Sequence, residues 1–374
     1  MEKVGILSMQ RIANYGSFLQ AYALKQLIEE FDCKVEFVDY HVGAPVITGN
    51  ADSKNKFVRK VEKGLETFQY QAPFAHKLSF IRYKQSFSKK YMPLLGITDE
   101  MNYNPTLDCL VIGSDEVFNC VQKNSKVGYS LELFGKDNHA KRLITYAASF
   151  GNTTLEKLEK YQKADEVGAL LQKFDAVSVR DANSETIVKQ LTGKKPVYNL
   201  DPVLTYDYMN CCDKIPQFRA DEKYLILYAY AGRISNEEAD WIAAYAEKKN
   251  LKVYAIGGIQ KCADRFVDCS PFEVLAYFRN AEEVITDTFH GSIFSVITHR
   301  SFTTLIRKSV GNSYGNEEKL SDLLERLGLA DRMTTKIEDV ENINEKAIDY
   351  ARVDELLKAH REMAKEYLRK NIGE

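Results

Sequence analysis

VGILSMQRIANYGSFLQAYALKQLIEEFDCKVEFVD, residues 4–39, decides the fold. Val4-Gly5-Ile6-Leu7 is a short apolar run, read as a strand, and a polar turn follows from Arg11 to Gly16. Ser17 then serves as the cap of a helix whose apolar residues Ala21, Leu24, Leu27, Ile28 and Phe31 recur at helical spacing. Val35 to Asp39 reads as a second strand. Two strands joined through a helix of this length can pair only in parallel, because the chain must cross back over the sheet before the second strand starts.

The same alternation continues outward. Further strands are expected at Cys109–Ile112, Leu143–Tyr146, Ala176–Val179 and Pro196–Asn199, with helices at Leu155–Lys173 and Asn183–Leu191. After a polar stretch around Asp213–Glu222 the pattern restarts with a strand at Tyr224–Tyr230 and a helix at Asn236–Lys249. Strands at Val253–Ile256, Val284–Thr286 and Phe302–Ile306 complete it. Alternating elements of this kind imply parallel sheets covered by helices on both faces. The reading is therefore α/β, with two doubly wound Rossmann-like domains facing a cleft. The first spans 1–210 with a basic helical excursion at 43–105, and the second spans 211–374 and ends in helices. Within the excursion, Lys54–Lys90 carries ten Lys or Arg against two Glu, with apolar residues at Phe57, Val61, Leu65, Phe68, Phe80, Ile81, Tyr83 and Phe87. This reads as a pair of basic amphipathic helices, either packed on the first domain or offered to anionic lipid or a phosphate-bearing acceptor.

Composition bounds the function. At 374 residues the chain exceeds one ordinary hydrophobic core, and its 45% hydrophobic and 28% charged content is that of a folded protein. A net charge of -2 argues against a dedicated nucleic-acid binder. The sequence shows neither a secretory pattern at its start nor an apolar run long enough to span a bilayer, so a cytoplasmic protein is expected, its basic segment offering a contact at the inner membrane face. The seven cysteines include no C-x-x-C pair, so reduced thiols are expected and no metal site is read from them.

Chemistry in open parallel sheets gathers beyond the carboxyl ends of strands, where helix N-termini converge. Gly113-Ser114-Asp115 ends one apolar strand with a small residue, a hydroxyl and a carboxylate, a set that serves equally as a turn and helix cap. Arg180-Asp181 ends another, with a guanidinium that can hold a phosphate or carboxylate, or pair structurally with a neighbour. Asn14-Tyr15-Gly16-Ser17 is a third junction, able to hold an anion or simply to cap its helix. The most informative is Asp287-Thr288-Phe289-His290-Gly291-Ser292, which brings Asp287, Thr288 and His290 to a turn and opens a helix with Gly291 and Ser292. A lone histidine is usually only a satisfied polar side chain, but this junction with Asp287 nearby marks His290 as a catalytic candidate.

Together with Leu19-Gln20-Ala21-Tyr22-Ala23-Leu24, Tyr146-Ala147-Ala148-Ser149-Phe150-Gly151 and Leu200-Asp201-Pro202, these motifs occur in an order that resembles the polysaccharide pyruvyl transferase family over roughly residues 1–330. The resemblance implies a fold like that of two-Rossmann-domain glycosyltransferases, and transfer of pyruvate from phosphoenolpyruvate to two sugar hydroxyls as a cyclic ketal. It implies no cofactor, a saccharide acceptor in capsule or wall assembly that is free or lipid-linked, His290 as leading catalytic residue and Arg180 as leading anion contact. Asp115 or Asp287 would act as base, with Ser114 lining the same site. Two departures stand out. The family often has glutamine and tryptophan where this chain has Glu116 and Phe118, and some members carry arginine at the position of Thr288. Arg180, or Arg233 near the end of the Tyr224 strand, would then hold the donor phosphate. The alternatives are a nucleotide-sugar glycosyltransferase and a saccharide-binding protein without catalysis.

Overall fold

The computed structural model describes residues 1–47, 67–122, 124–307 and 317–372. Within these, the chain divides into two compact units. One holds 92–207 with the residues before 54 and after 355; the other holds 208–355 with 67–91.

The first unit is built on strands β1 (Lys3–Leu7), β2 (Lys34–Phe37), β3 (Cys109–Asp115), β4 (Arg142–Ala148), β5 (Ser178–Val179) and β6 (Val197–Tyr198). They form a parallel sheet in the order β2-β1-β3-β4-β5-β6. The chain winds one way from β1 to β2 and the other way from β3 onward, so the topological switch point lies between β1 and β3. The central strand β3 is buried along its length to Ser114, which explains its unbroken apolar reading. Phe118 stacks on Phe134 at 4.7 Å and packs beside Phe150 at 5.2 Å in the core behind it.

The second unit is built on β7 (Tyr224–Tyr228), β8 (Lys252–Ile256), β9 (Arg265–Phe266), β10 (Glu283–Thr286), β11 (Ser301–Leu305) and β12 (Met333–Thr334). Their order is β12-β11-β10-β7-β8-β9, again parallel, with the switch point between β7 and β10. Tyr228, Phe278 and Phe294 meet edge to face at 5.5 to 5.7 Å beneath it. The chain is thus an α/β protein with two doubly wound sheets.

The helices used below are α1 (Tyr15–Glu29), α2 (Phe74–Tyr91), α3 (Ala182–Thr192), α4 (Asn236–Lys248), α5 (Pro271–Asn280), α6 (Phe289–Ile297) and α7 (Tyr350–Ile372). Four local expectations need correction. Helix α1 begins before Ser17, because Asn14 is the cap: its Oδ1 accepts the Ser17 N–H at 2.7 Å. The expected helix Leu155–Lys173 is two, Leu155–Lys160 and Ala164–Leu171, with Gln162 at φ 54 between them. On one continuous helix Leu158 and Val167 would point to opposite sides, and the break lets both enter the core. Strands β9 and β12 were not expected, since Arg265-Phe266 and Met333-Thr334 lie in no apolar run longer than two residues.

The fourth concerns which unit owns the excursion and the C-terminal helix. The expected first basic helix lies outside the described residues. The second is α2, and it belongs to the second unit, where Phe80 and Tyr83 meet the Phe266 ring at 5.5 and 6.1 Å. The later part of α7 belongs to the first unit. There the Tyr367 hydroxyl donates to the Thr145 carbonyl at 2.8 Å, and Arg361 pairs with Asp207 at 2.8 Å. Burial of apolar surface, not adjacency in sequence, assigned both segments.

Candidate functional site

In the first unit, the loops after β1 and β3 and the start of α1 meet at the switch point. Gly113 is the residue this junction cannot replace. It sits at φ +127, and a Cβ there would run into the Tyr146 carbonyl oxygen of the neighbouring strand. Ser114 is fully buried, and its hydroxyl donates to Gln20 Oε1 at 2.5 Å. Gln20 Nε2 donates in turn to Ser8 Oγ at 3.1 Å, and that hydroxyl donates to the Ser114 carbonyl at 3.0 Å. This closed ring ties β1, α1 and β3 together and gives Ser114 no surface to offer a substrate, contrary to the expectation. Gly16 is buried within α1, and Asn14 is occupied as its cap.

Asp115 is the group that reaches solvent. Its Oδ2 accepts from Ser17 Oγ at 3.1 Å, and its Oδ1 from the Glu116 N–H at 2.9 Å and from Arg180 at 3.2 Å. Arg180 is not an open clamp. Its side chain is 5% exposed and its other nitrogen donates to Asp201, itself fully buried, at 2.8 Å. Burial opposes the guanidinium charge, but Asp115, Asp201, Glu116 and Asp181 outweigh it and hold the Arg180 pKa above its usual value. Asp181 caps α3 by accepting the Ser184 N–H at 2.8 Å, as a carboxylate before a helix should. One cation among four carboxylates leaves this cluster without an excess of positive charge.

The second unit is different. The loop after β7 carries Tyr230 and Arg233, and the loop after β10 carries Asp287 to His290. Arg233 lies over the Tyr230 ring at 4.9 Å and pairs with Asp287 at 3.7 Å, yet its side chain remains 37% exposed. It is a positioned cation at the switch point, where dinucleotide-type sheets bind ligands. Asp287 is fully buried. Burial raises its carboxyl pKa above the ordinary value, with Arg233 and Arg307 pulling it back and Glu238 adding to the rise. With no exposed surface, the Asp287 carboxyl faces Arg233 and not solvent.

His290 lies in the first turn of α6, half-buried, with its ring against Phe289 and Phe294. Thr288 caps that helix by accepting the Gly291 N–H at 2.9 Å. A Cβ on Gly291 would clash with Thr286 Oγ1, and Ser292 is buried with its hydroxyl on Thr304 at 2.8 Å. Thr288, Gly291 and Ser292 therefore shape the turn and present His290. Sequence reasoning missed Arg307 and Glu238, which form a bidentate pair at 2.5 and 3.1 Å close enough to act on Asp287. The only sequence signal was Glu238 at the third position of α4, where it completes a capping box with Ser235. Among the described residues, no group of three His, Cys, Asp or Glu is placed to hold a metal ion.

The sequence model of the family described as polysaccharide pyruvyl transferase matches residues 14–309. The chain belongs to the polysaccharide pyruvyl transferase family. No curated protein matches it. Among solved structures, the UDP-bound MnaA of S. aureus shares 11% identity over 98% of this chain and 94% of its own, with a TM-score of 0.48. The glycosyltransferase of kitacinnamycin shares 10% over 99% of both chains, at 0.46. A mutant O-GlcNAc transferase of Thermobaculum terrenum shares 13% over 97% of this chain, which spans 64% of that protein, at 0.41. Likenesses this distant bear on nothing beyond the fold, which the sheet orders define independently.

For a pyruvyl transferase family member, the departures at 116 and 118 now have physical settings. Phe118 is a core residue of the first unit, stacked on Phe134, so the change there is one of packing. Glu116 accepts from Asn119 at 2.9 Å and lies where a Cβ on Gly151 would fall, so it braces two turns. Thr288 is the cap of α6, and the exposed cation beside it is Arg233.

Proposed function

We propose that the protein transfers a pyruvyl group from phosphoenolpyruvate to two hydroxyls of one sugar residue, forming a cyclic ketal and releasing phosphate. The observation that carries this reading is Arg233: an exposed guanidinium held between an aromatic face and a buried carboxylate, in the loop beside the one that presents His290. A donor that carries both a carboxylate and a phosphate needs such a cation, and the first unit's carboxylate-rich cluster cannot supply it.

The chemistry balances with one proton shuttle. Imidazolium at His290 gives its proton to the methylene carbon, which becomes the methyl group as the central carbon turns cationic. A sugar hydroxyl attacks that carbon, and its proton passes to the imidazole just formed. Phosphate then leaves with the bonding electrons, the second hydroxyl closes the ketal, and its proton departs with the phosphate. Arg233 offsets the charge of the leaving phosphate, and Asp287 keeps Arg233 in place.

The test is a reaction of purified protein with phosphoenolpyruvate and a panel of saccharides, free and lipid-linked, followed by phosphate release and product mass. A product heavier by pyruvate less water supports the proposal, and His290→Ala should lower kcat by about 10²–10⁴-fold. A product heavier by one hexose, formed only with nucleotide sugars, would replace the reading with glycosyl transfer. Saccharide binding without turnover would point to a binding protein.

A further inference from the structure

We propose that the outer face of α2, with Phe68 beside it, docks on an anionic phospholipid bilayer. Helix α2 buries Phe80, Tyr83 and Phe87 on one side. The opposite side begins with two apolar residues one turn apart, Phe74 and Leu78, which are 65% and 38% exposed. Phe68, 43% exposed, brings its ring to 6.1 Å from that of Phe74. Lys77 Nζ donates to the Phe68 carbonyl at 2.9 Å and so fixes the preceding segment to the helix. Single exposed apolar residues are ordinary, but three adjacent ones on one small feature are not.

What surrounds them selects the partner. Residues 67–91 contain Lys77, Arg82, Lys84, Lys89 and Lys90 and no Asp or Glu, in a chain whose net charge is -2. Arg82 and Lys89 continue the Phe74 and Leu78 side along the helix and are exposed. Apolar tips at one end and cations along the rest match a bilayer interface, where rings enter the acyl boundary and cations meet anionic headgroups. Three apolar side chains are too few for stable insertion, so the contact is reversible and depends on anionic lipid. Among the described residues, no helix is long and apolar enough to cross a membrane. Docking rests on this face alone, whatever reaction the protein performs.

The experiment is co-sedimentation of the full chain with vesicles of phosphatidylcholine alone, or with about 30 mol% phosphatidylglycerol, at low and high salt. Each cation near such a surface contributes about fivefold in affinity. Binding to the anionic vesicles should exceed that to neutral ones at least tenfold, on the order of two such contributions, and should fall with salt. Arg82→Glu with Lys89→Glu should remove the preference, and Phe74→Ser with Leu78→Ser should weaken what remains. Circular dichroism establishes that both variants fold, and turnover of a soluble acceptor should be unchanged. As an independent readout, Phe74→Trp in a Trp241→Phe background should shift its emission to the blue on anionic vesicles. Equal binding to both vesicles, no binding, or variants that bind like the parent would overturn the proposal. So would a self-association that Phe74→Ser with Leu78→Ser abolishes, since the face would then belong to a second copy.

Discussion

Replacing Arg180 by alanine tests the structure most sharply, because two readings of this residue predict opposite outcomes. An arginine that clamps a donor anion can be removed at the cost of affinity alone. The observed Arg180 is 5% exposed and lies between Asp201, with no exposure, and Asp115, at 14%. Removing the cation leaves at least one buried carboxylate uncompensated, which typically costs about 3–5 kcal/mol. For a unit of this size, each kcal/mol lowers the midpoint by about 2–4 °C, so Arg180→Ala should unfold the first unit roughly 6–20 °C earlier. Calorimetry of the parent and variant measures this directly. Arg180→Lys should recover little, since one ammonium cannot span contacts at 3.2 and 2.8 Å to separate carboxylates. Adding Asp201→Asn to Arg180→Ala should return part of the loss by neutralising the stranded charge. If Arg180→Ala instead melted within about 2 °C of the parent while its KM for phosphoenolpyruvate rose, the buried-pair argument would be wrong and the clamp reading restored.

Asp287→Asn tests the opposite situation. The Asp287 carboxyl is held above its ordinary value of 3.8, chiefly by burial. The folded state thus prefers the protonated form, so this group's contribution to stability is fullest below 3.8 and is lost as pH rises through the folded pKa. The asparagine variant should therefore melt higher than the parent at neutral pH, and the gain should shrink toward acid, while Arg233 loses its partner and KM for the donor rises. A melting difference that ignores pH would refute the assignment. Gly113→Ala forces a side chain into the Tyr146 carbonyl at a positive φ and should cost about 2 kcal/mol or more, read by urea denaturation. Tyr367→Phe strands the buried Thr145 carbonyl and should cost about 1–3 kcal/mol, lowering the first unit's transition despite lying near the C-terminal end.

Local chemistry made much of this protein legible from its residues alone. The strand-helix-strand alternation required parallel sheets, and a short apolar run such as Cys109–Ile112 within it read as a covered strand. Asp181 before its helix and the Asp287–Ser292 turn were placed correctly because caps and turns are set by residues within a few positions of each other. The ordered motifs were enough to indicate the family.

Only the tertiary structure decided which polar groups are free to act. Arg180 looked like an anion contact because its partners, Asp115 and Asp201, lie 65 and 21 residues away. Ser114 looked available because Gln20, 94 residues distant, does not announce itself as its acceptor. The exposure of Arg233, the burial of Asp287 and the membership of α2 and α7 depend on long-range packing in the same way. A sequence states where a charge can be carried. Whether that charge faces water or a buried counter-charge is settled by which surfaces the folded chain removes from solvent, and no local pattern encodes that.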